Sequence, residues 1–386
     1  MEIIKFKKIY SLTKCPPLRF KEFEKHNETQ YQSCQLKDLV KIKKGQQLNQ
    51  SNFISDGKYY VINGGVKPSG YYHSYNTEKN TITISNGGSC GFVLFHQEPF
   101  WCGGDCFTLK IYFTKINNLF LYYYLKKNQT QLQKLAQGTG LKHISLKNLN
   151  IFPVNFITNI QEQTKIATFL SLIDDKIKTQ SKTIEVWELF KQGIINNIYQ
   201  INHNLIELKK LIIEKNEKNK DHLVKNIYSI SNQKGFISQT KYFKKNINHN
   251  NLVNHKIIQY NDFAYNPSNI NIGSIARFKK PANSIIISPI YICFRKNSEK
   301  ITHEYLENFL FSNFFKTQML QLIQIGVRKV LKFSDFIKIR INVINISKQI
   351  KFDSLINLIN KKINMENILF QKYQNLSQYF YQNMFI

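Results

Sequence analysis

Residues 163–200 read QTKIATFLSLIDDKIKTQSKTIEVWELFKQGIINNIYQ, and their spacing decides the fold. Taken alternately four and three apart, the positions are Ile166, Leu170, Ile173, Ile177, Gln180, Ile184, Trp187, Lys191, Ile194, Ile198, Ile201, Leu205, Leu208 and Ile212, and twelve of the fourteen are apolar. An apolar residue every 3.5 positions keeps one stripe of a helix facing a partner, so the pattern predicts a coiled-coil seam. One long helix is expected within residues 159–215. Its stretch from Gln163 to Gln200 alone would measure about 57 Å at 1.5 Å per residue. Gly193 is a weak point, costing roughly 1 kcal/mol against alanine.

The same register returns 186 residues later. Phe352, Ile356, Ile359, Ile363, Glu366, Phe370, Tyr373, Ser377, Phe380 and Met384 form a second seam with two polar breaks. Those breaks, Glu366 and Ser377, fall at the positions of Gln180 and Lys191. Identities at that offset include Gln163/Gln349, Lys165/Lys351, Ile173/Ile359 and Ile177/Ile363. Shared breaks are harder to obtain by chance than shared apolar positions, so the chain reads as two copies of a domain followed by a long helix. Pairing the helices antiparallel would place one domain at each end of a rod. Gln180, Lys191, Glu366 and Ser377 are the candidates for setting its register, as polar seam residues do at some cost in stability.

Working outward, the charge falls into blocks. The 386 residues carry 54 Lys+Arg against 25 Asp+Glu, net +29, and only five of the basic residues are arginine. Residues 36–158 hold +9 and residues 222–346 hold +13, while residues 159–215 hold +1. Such an excess points to a polyanionic partner, and its partition points to two separate contacts. At 13% aromatic and 42% hydrophobic the chain has the material for packed cores. It has neither a run long enough to span a membrane nor a signal-peptide pattern, so a cytoplasmic protein is expected.

Both basic blocks alternate β-like runs with turn clusters. In the first, Tyr59–Asn63, Thr81–Ser85 and Gly91–Phe95 are separated by Gly64-Gly65, Pro68-Ser69-Gly70 and Asn86-Gly87-Gly88. A helical patch at Leu119–Lys127 precedes a Gly138-Thr139-Gly140 loop. In the second, Asp262–Tyr265, Gly273–Arg277 and Ser284–Cys293 are followed by a helical patch near Glu304–Leu322 and a Gly326-Val327-Arg328-Lys329 loop. The expected class is therefore α+β: two mixed α/β domains separated by a long antiparallel coiled coil, as a pseudo-twofold internal repeat. The expected boundaries are 1–35 for an N-terminal arm, 36–158 for the first domain, 159–215 for the central helix, 216–346 for the second domain and 347–386 for the distal helix.

Three stretches carry a family resemblance. Pro16–Phe23 (PPLRFKEF) with Leu36–Gly45 (LKDLVKIKKG), Gln161–Ile177 (QEQTKIATFLSLIDDKI) after Ile151-Phe152-Pro153, and Phe263–Arg277 (FAYNPSNINIGSIAR) with Ile287–Phe294 (ISPIYICF) resemble, in order, segments of the specificity subunit of type I restriction–modification systems. The resemblance implies two target-recognition domains, each reading one half of a split double-stranded DNA site, spaced by the helix pair. It also implies that the pair docks methyltransferase (modification) subunits, two of them, which carry S-adenosylmethionine, and that restriction/translocase subunits complete the complex. This chain itself would hold no cofactor. The second copy departs from the first at Ser347-Lys348-Gln349 against Gln161-Glu162-Gln163, at Asn360 against Asp174, and at Ile341, where a proline would follow Arg340.

Lysines near phosphates position DNA without reading it, and polar side chains at base edges read it. The candidate DNA-binding residues in the first domain are Lys43, Lys44, Gln46, Gln47, Asn63, Lys67, Ser69, Tyr71, Lys142 and His143. In the second they are Asn266, Ser268, Asn269, Asn271, Ser274, Arg277, Arg328 and Lys329. Each is also a residue type that builds turns or solvated loops. Arg277 and Arg328 stand out because arginine is scarce here and suits bidentate contact with guanine or phosphate.

Other chemistry finds little support. Cys90, His96, Cys102 and Cys106 lack the Cys-x-x-Cys spacing of a zinc knuckle, so buried structural cysteines are expected and no metal. The six cysteines, Cys15, Cys34, Cys90, Cys102, Cys106 and Cys293, should be reduced thiols. Asn266-Pro267-Ser268-Asn269 is similar to the Asn-Pro-Pro-aromatic motif of adenine methyltransferases but lacks its second proline and its aromatic. Glu207-Leu208-Lys209, with Asp174 and Asp175 upstream, has the composition of a nuclease triad but falls in helix register. No phosphate-binding Gly-x-x-x-x-Gly-Lys-[Ser/Thr] loop is present. A non-catalytic DNA reader is the leading expectation, against a methyltransferase or nicking enzyme in its own right, or a sequence-independent nucleic-acid bridge.

Overall fold

The computed structural model describes residues 10–12 (backbone alone), 16–24, 31–138, 140–200, 204–221, 223–232, 234–239, 252–280, 284–323 and 330–385. It divides into two compact units, residues 1–181 with 368–386, and residues 182–367. Both are mixed α and β, and each takes a segment of both long helices, Ile160–Gln200 and Ile346–Asn383.

The seam is visible in burial. Ile166, Leu170, Gln180, Phe352, Ile356, Ile359, Ile363, Glu366, Ser377 and Met384 are buried, whereas Leu172, Val186 and Leu189 beside the seam are exposed. In the second unit Lys191 Nζ reaches Asn360 Oδ1 at 3.3 Å, and Tyr199 meets Phe352 edge-on at 6.1 Å. Rising numbers on one helix face falling numbers on the other, so these segments run antiparallel. In the first unit Phe169 packs edge-on against Phe380 at 4.8 Å, and Asp174 accepts hydrogen bonds from Tyr381 (2.9 Å) and Tyr123 (3.1 Å). Burial pushes the Asp174 carboxyl above its ordinary pKa, and the two tyrosine hydroxyls act the other way.

The central helix is shorter than its sequence pattern. It ends at Gln200; Leu205–Glu207 and Ile212–Glu214 are strands, and Ile201 lies outside the described residues. Leu208 and Ile212 keep their apolar spacing, but they spend it in the core of the second unit. Competition for the backbone explains the change: Leu205–Glu207 pairs with Arg340–Asn342, and Asn204 donates its side-chain amide to Val343 O at 3.0 Å. The 1–35 arm is likewise not separate, because Tyr31–Gln35 pairs antiparallel with Pro153–Ile157.

The two units repeat one topology. In the first, a four-stranded antiparallel sheet runs in the spatial order Val40–Lys44, Cys106–Ile111, Thr81–Ser85, Val93–His96. In the second the order is Ile212–Glu214, Ile292–Lys296, Phe263–Tyr265, Ile275–Arg277, which is the same sequence of first, last and two middle strands. A second sheet in each unit contains one parallel pair, Tyr59–Ile62 with Trp101–Cys102 and Ile227–Ser231 with Ile285–Ile287. The second unit adds one strand, Lys256–Ile258.

The joint between each domain and its helix is also repeated. Gln163, fully buried, donates to Lys115 O (2.9 Å) and Ile157 O (2.6 Å) and accepts from Asn117 N (2.7 Å). Gln349 donates to Lys300 O and Ile344 O (both 2.8 Å) and accepts from Thr302 N (2.9 Å). Asn117 and Thr302 are the N-caps of Asn118–Lys127 and His303–Leu310, whose exposed amides they satisfy. Glu162, next to the first glutamine, is fully buried and bound by Arg19 through two hydrogen bonds of 2.7 and 2.8 Å. Its counterpart Lys348 is exposed.

Candidate nucleic-acid interface

In the first unit a set of glycine turns brings distant loops together. The strand Val40–Lys44 ends where Gly45 N donates to Cys106 O and Gln46 N to Cys102 O, both at 2.9 Å. Trp101 Nε1 donates to Gln46 O at 2.9 Å, and Asn63 Oδ1 accepts from Asp105 N at 3.0 Å. Gly64 adopts φ +71°, a conformation side chains rarely take, and its N–H points at the Cys106 sulfur at 3.1 Å. Ile144 N donates to Asn86 O at 3.1 Å, which seats the loop carrying Lys142 and His143 beside Gly87. Gln46, Gln47, Asn63 and His143 therefore converge on Gly103-Gly104-Asp105. Lys142 is tied in through Cys90, whose thiol donates to Lys142 O at 2.7 Å.

Lys67, Ser69 and Tyr71 form a second, exposed group on the hairpin of Tyr59–Ile62 and Gly70–Tyr72, where Ser69 N donates to Val61 O at 2.8 Å. Lys43 and Lys44 are exposed neighbours on one strand, so the pleat sends them to opposite faces. Lys43 lines a separate groove of about 410 Å³ with Lys79 and Lys110.

In the second unit the loop Asn266–Ser274 is a closed turn. Asn266 N donates to Ser274 O (2.9 Å), Ser274 N to Asn269 O (3.2 Å), and Asn266 Oδ1 accepts from Ser268 N (3.0 Å). Ser268 and Asn269 are exposed, and Asn266 and Asn271 half-buried. Leu331 N donates to Pro267 O at 3.0 Å, matching the bond from Ile144 to Asn86 in the first unit.

Two of the sequence candidates face inward. Ser274 is 3% exposed and serves the turn through its backbone. Arg277 has a side chain only 6% exposed; its guanidinium binds Glu304 at 2.8 Å, Glu307 at 3.0 Å and Asn261 Oδ1 at 3.2 Å. The bidentate geometry that suggested guanine is satisfied by carboxylates of the chain itself. Arg328 and Lys329 lie outside the described residues. In sequence they stand 186 positions after Lys142 and His143.

Other polar and charged residues, absent from the sequence candidates, lie beside these loops. Asp105 sits at the centre of the glycine cluster. Asn232, Lys234, Lys279 and Lys280 rim a cavity of about 310 Å³ next to the Asn266–Ser274 turn. The adjacent lysines after Arg277 were the available signal.

The rejected motifs are structural in detail. His96 is buried between Thr83 Oγ1 (2.8 Å) and Tyr60 OH (3.1 Å), and that burial lowers its pKa to about 4. Cys34, Cys90, Cys102, Cys106 and Cys293 are unbridged thiols, and Cys15 lies outside the described residues. Among the described residues no three His, Cys, Asp or Glu side chains are placed to hold a metal ion. Glu207 sits on a strand rather than a helix, paired with Lys209 and with Arg340 at 3.8 Å. Among the described residues no helix is long and apolar enough to cross a membrane.

Comparison with known proteins fits this arrangement. Residues 28–188 match the type I restriction modification DNA specificity domain family. A Mycoplasma pneumoniae protein named as a type I specificity subunit is 35% identical over 172 residues, 44% of this chain and 46% of the relative. A Mycoplasma genitalium counterpart is 33% identical over 174 residues, 45% of each chain. The chain thus spans about half the length of the curated relatives it matches. In fold, it is similar to the crystal structure of the S subunit of a type I system from M. genitalium, with a TM-score of 0.66 and 20% identity, covering 97% of this chain and 99% of that one. It is also similar to a chain from a structure addressing complex assembly and conformational transition of the type I R-M system, with a TM-score of 0.54 and 8% identity over 92% of this chain and 97% of that one. In its matched domain and in its fold, the chain is similar to the type I restriction–modification specificity subunits.

Proposed function

We propose that this chain is the non-catalytic specificity subunit of a type I complex, each unit reading one half of a bipartite DNA sequence. The observation that carries the reading is the duplicated domain: one strand order, built twice, each time ending in a loop surface with exposed lysine and amide side chains. Lysines around the loops would neutralise phosphates, so affinity should fall steeply with salt. Gln46, Gln47, Asn63 and His143 in one unit, and Ser268 and Asn269 in the other, would meet base edges.

The long helices supply a second surface. Beside the buried seam the central helix exposes Leu172 (62%), Val186 (63%), Leu189 (66%) and Phe190 (52%), and the distal helix exposes Leu358 (62%) and Met365 (64%). In the first unit a cavity of about 550 Å³ opens among Phe20, Ile160, Thr164, Phe169 and Leu172. Apolar stripes of this kind suit the docking of partner helices. Two modification subunits would bind here and bring the S-adenosylmethionine and the methyl-transfer chemistry; restriction/translocase subunits would complete the complex.

Methylome sequencing tests the reading, in a host free of other systems that expresses this chain with its modification partners. The expected result is methylated adenine in a split motif with a fixed gap. Methylation by the purified chain alone, or an uninterrupted motif, would contradict it.

A further inference from the structure

The large hydrophobic side chain with the greatest exposure among the described residues directly precedes two residues of the first unit's candidate interface, Lys142 and His143. Leu141 is 86% exposed. It sits near the tip of a loop closed at its base by two backbone hydrogen bonds, Gln137 N to His143 O and His143 N to Gln137 O, both at 2.9 Å. Gly138 turns the chain at φ +128°, where a Cβ would fall 2.6 Å from Leu141 O, so the loop tolerates only glycine there. The Cys90 thiol at Lys142 O and the bond from Ile144 N to Asn86 O fasten the loop to the domain. The leucine is thus held out by a braced loop. At 86% exposure it stays in water, which is unfavourable in the free protein.

Charge says what would cover it. Lys142 and His143 follow Leu141 directly and are exposed. Between Gln129 and Asn150 the sequence has Lys134, Lys142 and Lys147 and no acidic residue. Asp105 is the acidic residue near His143 across the glycine turn, but the segment that carries the apolar tip is itself basic, which fits a polyanion with apolar surface inside its charged shell. DNA offers this in thymine methyl groups and base faces. At the repeat offset the second copy reads Gly326-Val327-Arg328-Lys329 against Gly140-Leu141-Lys142-His143, again an aliphatic residue ahead of two basic ones.

We propose that Leu141 is a specificity-determining residue that enters the DNA groove and packs on the apolar surface of a base in the half-site read by the first unit. This rests on the function proposed above. The test is selection from a randomised duplex pool by the full chain, wild type and Leu141→Ala, followed by titration of the selected duplex. If wild type enriches no sequence, the DNA-reading function itself fails. With a wild-type consensus in hand, Leu141→Ala should lose preference at one or two adjacent positions of one half only. It should also bind the selected duplex about tenfold more weakly, with unselected duplex unaffected. Leu141→Met should restore most of the affinity. An unchanged consensus, or an equal loss on selected and unselected duplex, would overturn the proposal. Folding is not at stake, because the side chain is exposed. Replacing thymine by uracil in the selected duplex separates the two apolar surfaces. If the methyl group is the contact, wild type loses affinity and Leu141→Ala does not; if a base face is the contact, both bind the uracil duplex unchanged.

Discussion

In the first unit Phe95 packs against Tyr122 at 5.5 Å, joining the edge of the four-stranded sheet to the helix Asn118–Lys127. In the second unit the strand position answering Phe95 is Arg277: Ile82 lies opposite Phe95 and Leu109, and Phe263 opposite Arg277 and Phe294. Tyr122 and Glu307 are each five residues past their N-cap, so an aromatic pair in one copy has become an ion pair in the other. Glu304 and Asn261 complete the second version. The fold requires this joint and accepts either chemistry. What differs is the response to conditions, since an ion pair can be screened by salt and neutralised by protons, whereas an aromatic pair carries no charge to screen or titrate.

The largest expected effect comes from the glycine cluster that, among the described residues, only the first unit has. A Cβ on Gly45 would lie 2.2 Å from Gly103 O and 2.6 Å from Cys102 Sγ, with backbone on one side and a buried side chain on the other. Gly45→Ala should destabilise the first unit by about 3 kcal/mol, read as lost amide-exchange protection there and not in the second unit. Gly273→Ala, in the second unit's turn at φ +93° with its nearest atom 3.7 Å away, should cost only about 1 kcal/mol. Equal costs would mean that the two loop surfaces are built alike.

Next comes the joint itself. Arg277→Ala leaves Glu307, 16% exposed, without its buried cation and should cost about 2–3 kcal/mol. Arg277→Lys should not restore it, because one ammonium cannot serve both carboxylates in that geometry. Phe95→Ala should cost less, about 1–2 kcal/mol, since Phe95 is only half-buried. In thermal melts at high salt the Arg277→Ala deficit should shrink and the Phe95→Ala deficit should not. If both respond alike, the ionic description of the second joint is wrong.

A smaller difference separates Asp353 from Ala167, its counterpart 186 residues earlier; both are buried. Burial raises the Asp353 pKa from 3.8 to about 6, although Thr302 Oγ1 donates to its carboxylate at 2.5 Å. A carboxyl raised in the folded state binds its proton more tightly there than in the unfolded chain. Its contribution is therefore fully present below the unfolded pKa and lost as pH rises through about 6. Asp353→Asn should be more stable than wild type at pH 7 by on the order of 2 kcal/mol, and the gap should close towards pH 4. Chemical denaturation across that range checks it; a gap that widens on acidification would reverse the assignment.

Period and topology were legible in the chain because they rest on repeated spacing. The first seam as far as Ile198, the second seam and the strands Thr81–Ser85 and Phe263–Tyr265 stand where the pattern put them. The helix end was not legible. Leu208 and Ile212 satisfy a heptad and a strand-rich core equally well, and the pairing of Leu205–Glu207 with Arg340–Asn342 chooses between them. The placement of the candidate residues was legible in part. Loops with Gly, Asn and Ser announce themselves, so Gln46, Asn63, His143, Ser268 and Asn269 lie on the loop surfaces that the sequence assigns them to. Arg277 misled because its partners Glu304 and Glu307 are distant in sequence, and scarcity looks the same whether an arginine serves DNA or the fold.

The central claim is that each unit reads its own half of the target. Loop variants test it most directly when each is carried separately through duplex selection by the full chain: Lys142→Ala with His143→Ala, and Ser268→Ala with Asn269→Ala. Wild type should select a consensus of two elements with a constant gap, the first pair degrading one element and the second pair the other. A contiguous consensus, or two variants that degrade the same element, would contradict it.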